Sequence, residues 1–136
     1  MRRYILASHS NFAKGLEEVL DFFTSQGNKI NVISAYVNDN NFPEDEVKTL
    51  FEKFNKDDEV IIMTDLLSGS VNQKFSKYCN QNIYVVAGVN LALAMSLLLI
   101  PENMSLSNNL IQENINQAKN QMTLMNTYTA ISDDDE

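Results

Sequence analysis

Four short apolar runs, separated by segments with helical spacing, leave this chain few folds to choose from. The runs are Tyr4 to Ala7, Ile30 to Ala35, Val60 to Met63 and Ile83 to Ala87. Between the first two, Leu16, Val19, Leu20 and Phe23 recur at i, i+3, i+4 and i+7, one face of a helix, and Gly27 is placed to stop it. Between the second and third, Pro43 suits a first helical turn, and Glu44, Asp45 and Glu46 favour its positive end. Val47, Leu50, Phe51 and Phe54 then repeat the same spacing. Between the third and fourth, Ser70-Val71-Asn72-Gln73 has the S-x-x-Q form of a capping box, which starts a helix at Ser70. Asn90 to Ile100 is apolar nearly all round and reads as a buried helix ended by Pro101. Ile111, Ile115, Ala118, Met122 and Met125 mark one stripe of a final helix, and Tyr128 to Ile131 reads as a short last strand. Strands alternating with helices predict an α/β fold: a mostly parallel central sheet with helices on both faces, joined by right-handed crossovers. Residues 1–132 form one domain, and 133–136 form an acidic tail.

Charge and residue counts narrow the chemistry. The net charge is −8, and Asp133 to Glu136 supply four of those charges, leaving −4 on the rest. Such a surface repels phosphate backbones, which argues against nucleic-acid binding. A single cysteine, Cys79, and a single histidine, His9, exclude an internal disulfide and any site built on several cysteines or histidines. No metal or cofactor is called for. The uncharged run from Cys79 to Ile100 is long enough to suggest a membrane span. Gly88-Val89-Asn90 in its middle divides it into a strand and a buried helix. With no signal-like segment at the start, the expected compartment is the cytoplasm.

In open parallel sheets, function gathers beyond the carboxyl ends of the strands. Ser8-His9-Ser10, Asp65 to Ser70 and Gly88-Val89-Asn90 all fall there. His9 alone could be a surface histidine that opens a helix. At a strand end, beside the free N–H groups of a helix start, a neutral imidazole could also attack phosphorus. That requires one ring nitrogen to keep its lone pair while the other holds the proton, and a carboxylate fixes that tautomer. Asp65 is the natural orienting group, though it could equally be a turn aspartate. Ser70 reads as a helix cap, Asn90 as a turn or cap residue and Cys79 as a bystander. No G-x-x-x-x-G-K-[ST], G-x-G-x-x-G or G-x-S-x-G motif is present.

Three segments carry a resemblance. They are Ile5-Leu6-Ala7-Ser8-His9-Ser10, Ile62 to Asn72 around Asp65-Leu66-Leu67-Ser68-Gly69-Ser70, and Val86-Ala87-Gly88-Val89-Asn90-Leu91. In order and spacing they resemble the enzyme IIA domain of the mannose-type branch of the bacterial sugar phosphotransferase system, over Arg3 to Ile131. Ser68 stands where the family usually has the first glycine of a pair, and Ala92 where it usually has proline.

The resemblance implies a phosphotransferase, a phosphocarrier. His9 takes a phosphoryl group from phospho-HPr on Nε2 and passes it to enzyme IIB, which serves sugar entry through membrane IIC and IID subunits. Asp65 binds His9 Nδ1–H. Ser68, Gly69 and Ser70 hold the phosphoryl oxygens. The resemblance also implies a homodimer whose last strand, Tyr128 to Ile131, exchanges between subunits, with Ile111, Ile115, Ala118 and Met122 in the interface. A chain ending at Glu136 points to a separate IIB protein. Two other readings stay open: the phosphotransfer subunit of dihydroxyacetone kinase, and a regulatory module in which His9 only senses phosphorylation.

Overall fold

The structure is a computed structural model that describes residues 1–129. Four strands, β1 (Arg2–His9), β2 (Ile30–Ala35), β3 (Glu59–Thr64) and β4 (Ile83–Val86), form an all-parallel sheet in the order β2-β1-β3-β4. Five helices connect and follow them: α1 (Phe12–Thr24), α2 (Glu44–Glu52), α3 (Ser70–Ser76), α4 (Leu91–Leu98) and α5 (Asn108–Lys119). This is the α/β architecture expected from the alternation.

Alternation along the central strands builds two cores. Tyr4 and Leu6 of β1, with Ile61 and Met63 of β3, face Ala13, Leu16 and Leu20 of α1 and Leu93, Ala94 and Leu97 of α4. Ile5 and Ala7, with Val60 and Ile62, face Val47 of α2 and Val71 and Phe75 of α3. Successive side chains point to opposite faces, so a strand covered on both sides must be apolar throughout. The uncharged run from Cys79 onward resolves into β4, a turn and the buried face of α4. No helix among the described residues is long and apolar enough to cross a membrane.

Several local expectations are corrected. Of the α1 stripe, Leu16 and Leu20 are buried but Val19 and Phe23 are exposed; Ala13 takes the remaining core position. Gly27 does not end α1. Ser25 does, in the left-handed region at φ 58. Gly27 is instead needed for close approach, because a Cβ there would lie 2.6 Å from the Asp21 Cβ. Asn90, by contrast, does what its reading as a turn or cap residue expects: it caps α4, its Oδ1 accepting from the Leu93 N–H at 2.8 Å. The final helix ends at Lys119, and Met122 and Met125 lie exposed beyond it. Ile111 and Ala118 are buried mostly within this chain's own core. Tyr128 and Thr129 belong to no strand. Ala130 and Ile131, the rest of the expected last strand, lie outside the described residues, as does the acidic tail.

Candidate active site

The chain runs from β1 outward to β2, then returns across β1 to β3. The point between β1 and β3 is therefore where the strand order reverses, the usual place for a site in such sheets. In register, Ala7 pairs with Thr64 and His9 with Ala35. The residues that leave β1, β2 and β3 thus emerge together: His9 on β1, Tyr36 just past β2 and Asp65 just past β3.

His9 and Asp65 meet there. The Asp65 Oδ2 accepts from the His9 backbone N–H at 2.7 Å and lies 2.8 Å from His9 Nδ1. Partial burial works to raise the Asp65 carboxyl, but the backbone and ring hydrogen bonds from His9 outweigh it and hold it below the usual carboxylate range. An ionised carboxylate only accepts, so Nδ1 carries a proton, and in the neutral imidazole Nε2 then keeps its lone pair. Asp65 Oδ1 is buried and has no hydrogen-bond partner among the described residues. The imidazole is 44% exposed, enough for another molecule to reach Nε2.

The loop from Asp65 to Ser70 is braced from below. Asn72 is buried; its Oδ1 accepts from the Ser68 N–H at 3.1 Å, and its Nδ2 donates to the Thr64 Oγ1 at 2.9 Å. Thr64 Oγ1 in turn donates to the Val86 carbonyl on β4. The Gly69 N–H goes to the Leu66 carbonyl at 3.0 Å. Loop partners therefore occupy the N–H groups of Ser68 and Gly69. Gly69 lies against the histidine: a Cβ there would be 3.6 Å from the His9 Cε1 and 3.2 Å from the Leu66 carbonyl oxygen. The distance to the ring is an ordinary van der Waals contact, while the Leu66 carbonyl would have to give by a few tenths of an ångström to admit a side chain there.

The capping-box expectation for Ser70 does not hold. Gly69 is the N-cap of α3, and its carbonyl accepts from the Gln73 N–H at 2.9 Å. The Gln73 side chain donates to the Ser68 carbonyl at 2.7 Å. Extended geometry at Gly69 shifts the cap one residue earlier, and this releases the Ser70 hydroxyl. That hydroxyl lies 3.2 Å from His9 Nε2. Ser8, by contrast, acts as a brace, its Oγ accepting from the Ala13 N–H at the start of α1.

Backbone strain gathers around the histidine. Among the described residues four non-glycine residues have positive φ, and three of them are Ser10 at 54°, Tyr36 at 61° and Ser68 at 64°. Each occupies a segment leaving one of the three converging strands. Conformations of this kind persist where surrounding contacts over-determine them, and they cluster at functional sites. Tyr36 was not singled out by the sequence. Its ring lies 5.3 Å from that of His9, tilted by 37°, and its hydroxyl donates to the Ser70 Oγ at 2.9 Å. The available signal was its position at the end of the second strand, on the same sheet edge.

Sequence comparison decides the family. The family described as the fructose IIA component of the phosphotransferase system matches residues 3–122. The chain belongs to the mannose-type IIA family of the sugar phosphotransferase system. Solved structures agree. A Klebsiella pneumoniae protein assigned to the phosphoenolpyruvate-dependent sugar phosphotransferase system as a permease is 31% identical, with TM-score 0.83, over 93% of this chain and 92% of its own. The IIA protein associated with the fucose utilization operon of Streptococcus pneumoniae is 25% identical, with TM-score 0.73, over 92% and 93%. The mannose/sorbose IIA subunit of Enterococcus faecalis shares the fold at 18% identity and TM-score 0.74, over 96% and 98%.

The two departures of this IIA protein from the family pattern have structural readings. Ser68 takes the left-handed conformation that glycine adopts freely, so the loop keeps that shape against strain. Ala92 is the second residue of α4, where the backbone N–H lacks an intrahelical partner and either alanine or proline fits.

Proposed function

We propose that this IIA protein carries a phosphoryl group on His9 Nε2, accepting it from phospho-HPr and passing it to enzyme IIB. A phosphotransfer role in a sugar phosphotransferase system follows from the family. The observation that supports His9 as carrier is the 2.8 Å contact between Nδ1 and Asp65, which leaves Nε2 on the opposite side of a ring that is 44% exposed. In the transfer, the Nε2 lone pair attacks phosphorus. The phosphorus–nitrogen bond of the donor's phosphohistidine breaks as the bond to Nε2 forms. The Nδ1 proton stays between the ring and Asp65, so no proton leaves the site. The ring becomes cationic as the bond forms, and Asp65 offsets that charge. The Ser70 hydroxyl, 3.2 Å from Nε2, is placed to donate to a phosphoryl oxygen; Ser68 and Gly69 act chiefly by holding the loop against the ring.

A protein donor and acceptor suit the rim of the site. Phe12, Val37, Leu66 and Leu67 are exposed apolar side chains within three residues of His9, Tyr36 or Asp65 in the chain. Membrane IIC and IID subunits would act downstream of IIB.

We also infer a homodimer in which residues 128–131 pair with a neighbour. In support, among the described residues β4 ends the four-stranded sheet with one side unpaired, and a groove of about 440 Å³ runs between it and α5, lined by Ile83, Tyr84, Val85, Ile111 and Ile115 among others. Edge strands of this kind invite pairing unless covered.

Reconstitution tests the function. The protein is combined with enzyme I, HPr, phosphoenolpyruvate and a mannose-type IIB protein, and label on IIB is followed. Label should reach IIB only when the IIA protein is present and should stop with His9→Ala. Label that stops on His9 without moving to IIB would favour a sensing role, and label moving to a dihydroxyacetone kinase in place of IIB would reassign the acceptor.

A further inference from the structure

We propose that Tyr36 is a positioning residue for phosphoryl transfer, its hydroxyl holding the Ser70 hydroxyl so that the Ser70 proton points at His9 Nε2. This rests on the reading of His9 as the phosphoryl acceptor. Tyr36 follows β2, and its neighbour Ala35 pairs with His9. Its φ of 61° is disfavoured for any residue with a Cβ, and most of all for a bulky one. That conformation sets the ring beside the imidazole, 5.3 Å between centroids.

The hydrogen bonds then fix one arrangement. A hydroxyl has one proton and two lone pairs. The Tyr36 hydroxyl donates into one lone pair of the Ser70 Oγ at 2.9 Å. The Ser70 Oγ is 3.2 Å from Nε2, and in the neutral imidazole that attacks phosphorus Nε2 has no proton, because Nδ1–H serves Asp65. The Ser70 proton therefore lies on the Nε2 lone pair, and the chain Tyr36–Ser70–His9–Asp65 has one direction throughout. In the resting protein this caps the nucleophile. When a phosphoryl group arrives, the new bond to phosphorus takes the place of that hydrogen bond. The Ser70 hydroxyl turns its proton onto a phosphoryl oxygen while Tyr36 keeps hold of the Oγ. Neither Tyr36 nor Ser70 makes or breaks a covalent bond. Without the phenol, the Ser70 hydroxyl can rotate freely, and part of the time its proton is aimed elsewhere.

Tyr36→Phe removes the hydroxyl and keeps the ring. Two readouts separate positioning from packing. In the unphosphorylated protein, the nitrogen-15 resonance of His9 Nε2 should move toward its value in Ser70→Ala. In single-turnover transfer from phospho-HPr, the rate constant should fall about threefold to tenfold, the effect of losing one ordinary hydrogen bond. The concentration of phospho-HPr giving half the maximal rate should not change. The double variant Tyr36→Phe with Ser70→Ala should be no slower than Ser70→Ala alone. A Tyr36→Phe protein with the wild-type resonance and rate, or a double variant showing the product of the two losses, would overturn the proposal. Failure of the wild-type protein to take up phosphoryl groups would instead remove the reading of His9, and the resonances would still decide whether Tyr36 orients Ser70.

Discussion

Replacing Asp65 by asparagine should slow phosphoryl uptake by roughly 30- to 150-fold without unfolding the protein. The size follows from the geometry. Asp65 Oδ2 lies 2.8 Å from Nδ1, and the ring gains a positive charge as phosphorus bonds to Nε2. Opposite charges about 4 Å apart attract by about 4 kcal/mol at an effective dielectric of 20 and by about 1 kcal/mol in water. The Asp65 side chain is 15% exposed and that of His9 44%, so the site lies between those limits. A loss of about 2–3 kcal/mol corresponds to the stated range, since about 1.4 kcal/mol is tenfold. In Ser–His–Asp hydrolases the same change costs about four orders of magnitude, but there the histidine must also take up a proton. Here the ring keeps the proton it has. Asp65 sits behind the ring, so the loss should fall on the transfer step and not on docking of the donor. Rapid-quench transfer from labelled phospho-HPr over a range of donor concentrations separates the two. A rate within a factor of two of wild type, or a loss confined to donor affinity, would refute the electrostatic role.

Three further predictions follow from single residues or segments. Ser68→Gly relieves a left-handed serine, worth about 1–2 kcal/mol, and gives back about 0.5–1 kcal/mol in chain entropy; urea unfolding should show a gain of up to about 1.5 kcal/mol, and a loss of stability would mean the serine makes a contact that outweighs its strain. Asp58 is held down to about 2 by the Asn55 N–H, against its burial, and then by Arg3 and the chain N-terminus. Its unfolded carboxyl titrates near about 3.9, so its contribution to stability is complete above that pH and disappears as pH falls toward about 2. Asp58→Asn should flatten the stability profile over that window, and an unchanged slope would count against the ion pairs. Truncation after Met125 should dissociate or destabilise the dimer in sedimentation, whereas removing only Asp133 to Glu136 should not; a full-length protein monomeric at tens of micromolar would contradict strand exchange.

The parts of this protein governed by burial were readable from sequence. The four strands, the α/β class and the meeting of His9 with Asp65 at one sheet edge all follow from apolar runs and their order. Features governed by backbone dihedrals were not. The capping-box pattern at Ser70 was chemically sound, but Gly69 could take the cap conformation one residue earlier. That shift turned a presumed cap into a hydroxyl facing Nε2. Tyr36 was invisible for a related reason: no sequence rule places a bulky aromatic at φ 61°, and in an extended continuation of β2 its ring would not be held against His9. The α1 stripe misled because helical spacing cannot say how wide the covered face is, and Val19 and Phe23 fall just outside it. The α5 stripe had the right period, but Ile111 and Ala118 spend their apolar surface on this chain's own core.

The most direct test of the account is the intact mass of the protein after incubation with enzyme I, HPr and phosphoenolpyruvate. His9 is the only histidine in the chain, so one phosphoryl group should be gained, labile in acid and stable in base. The gain should be absent in His9→Ala. No gain in the wild-type protein, or a gain that survives His9→Ala, would contradict the central claim.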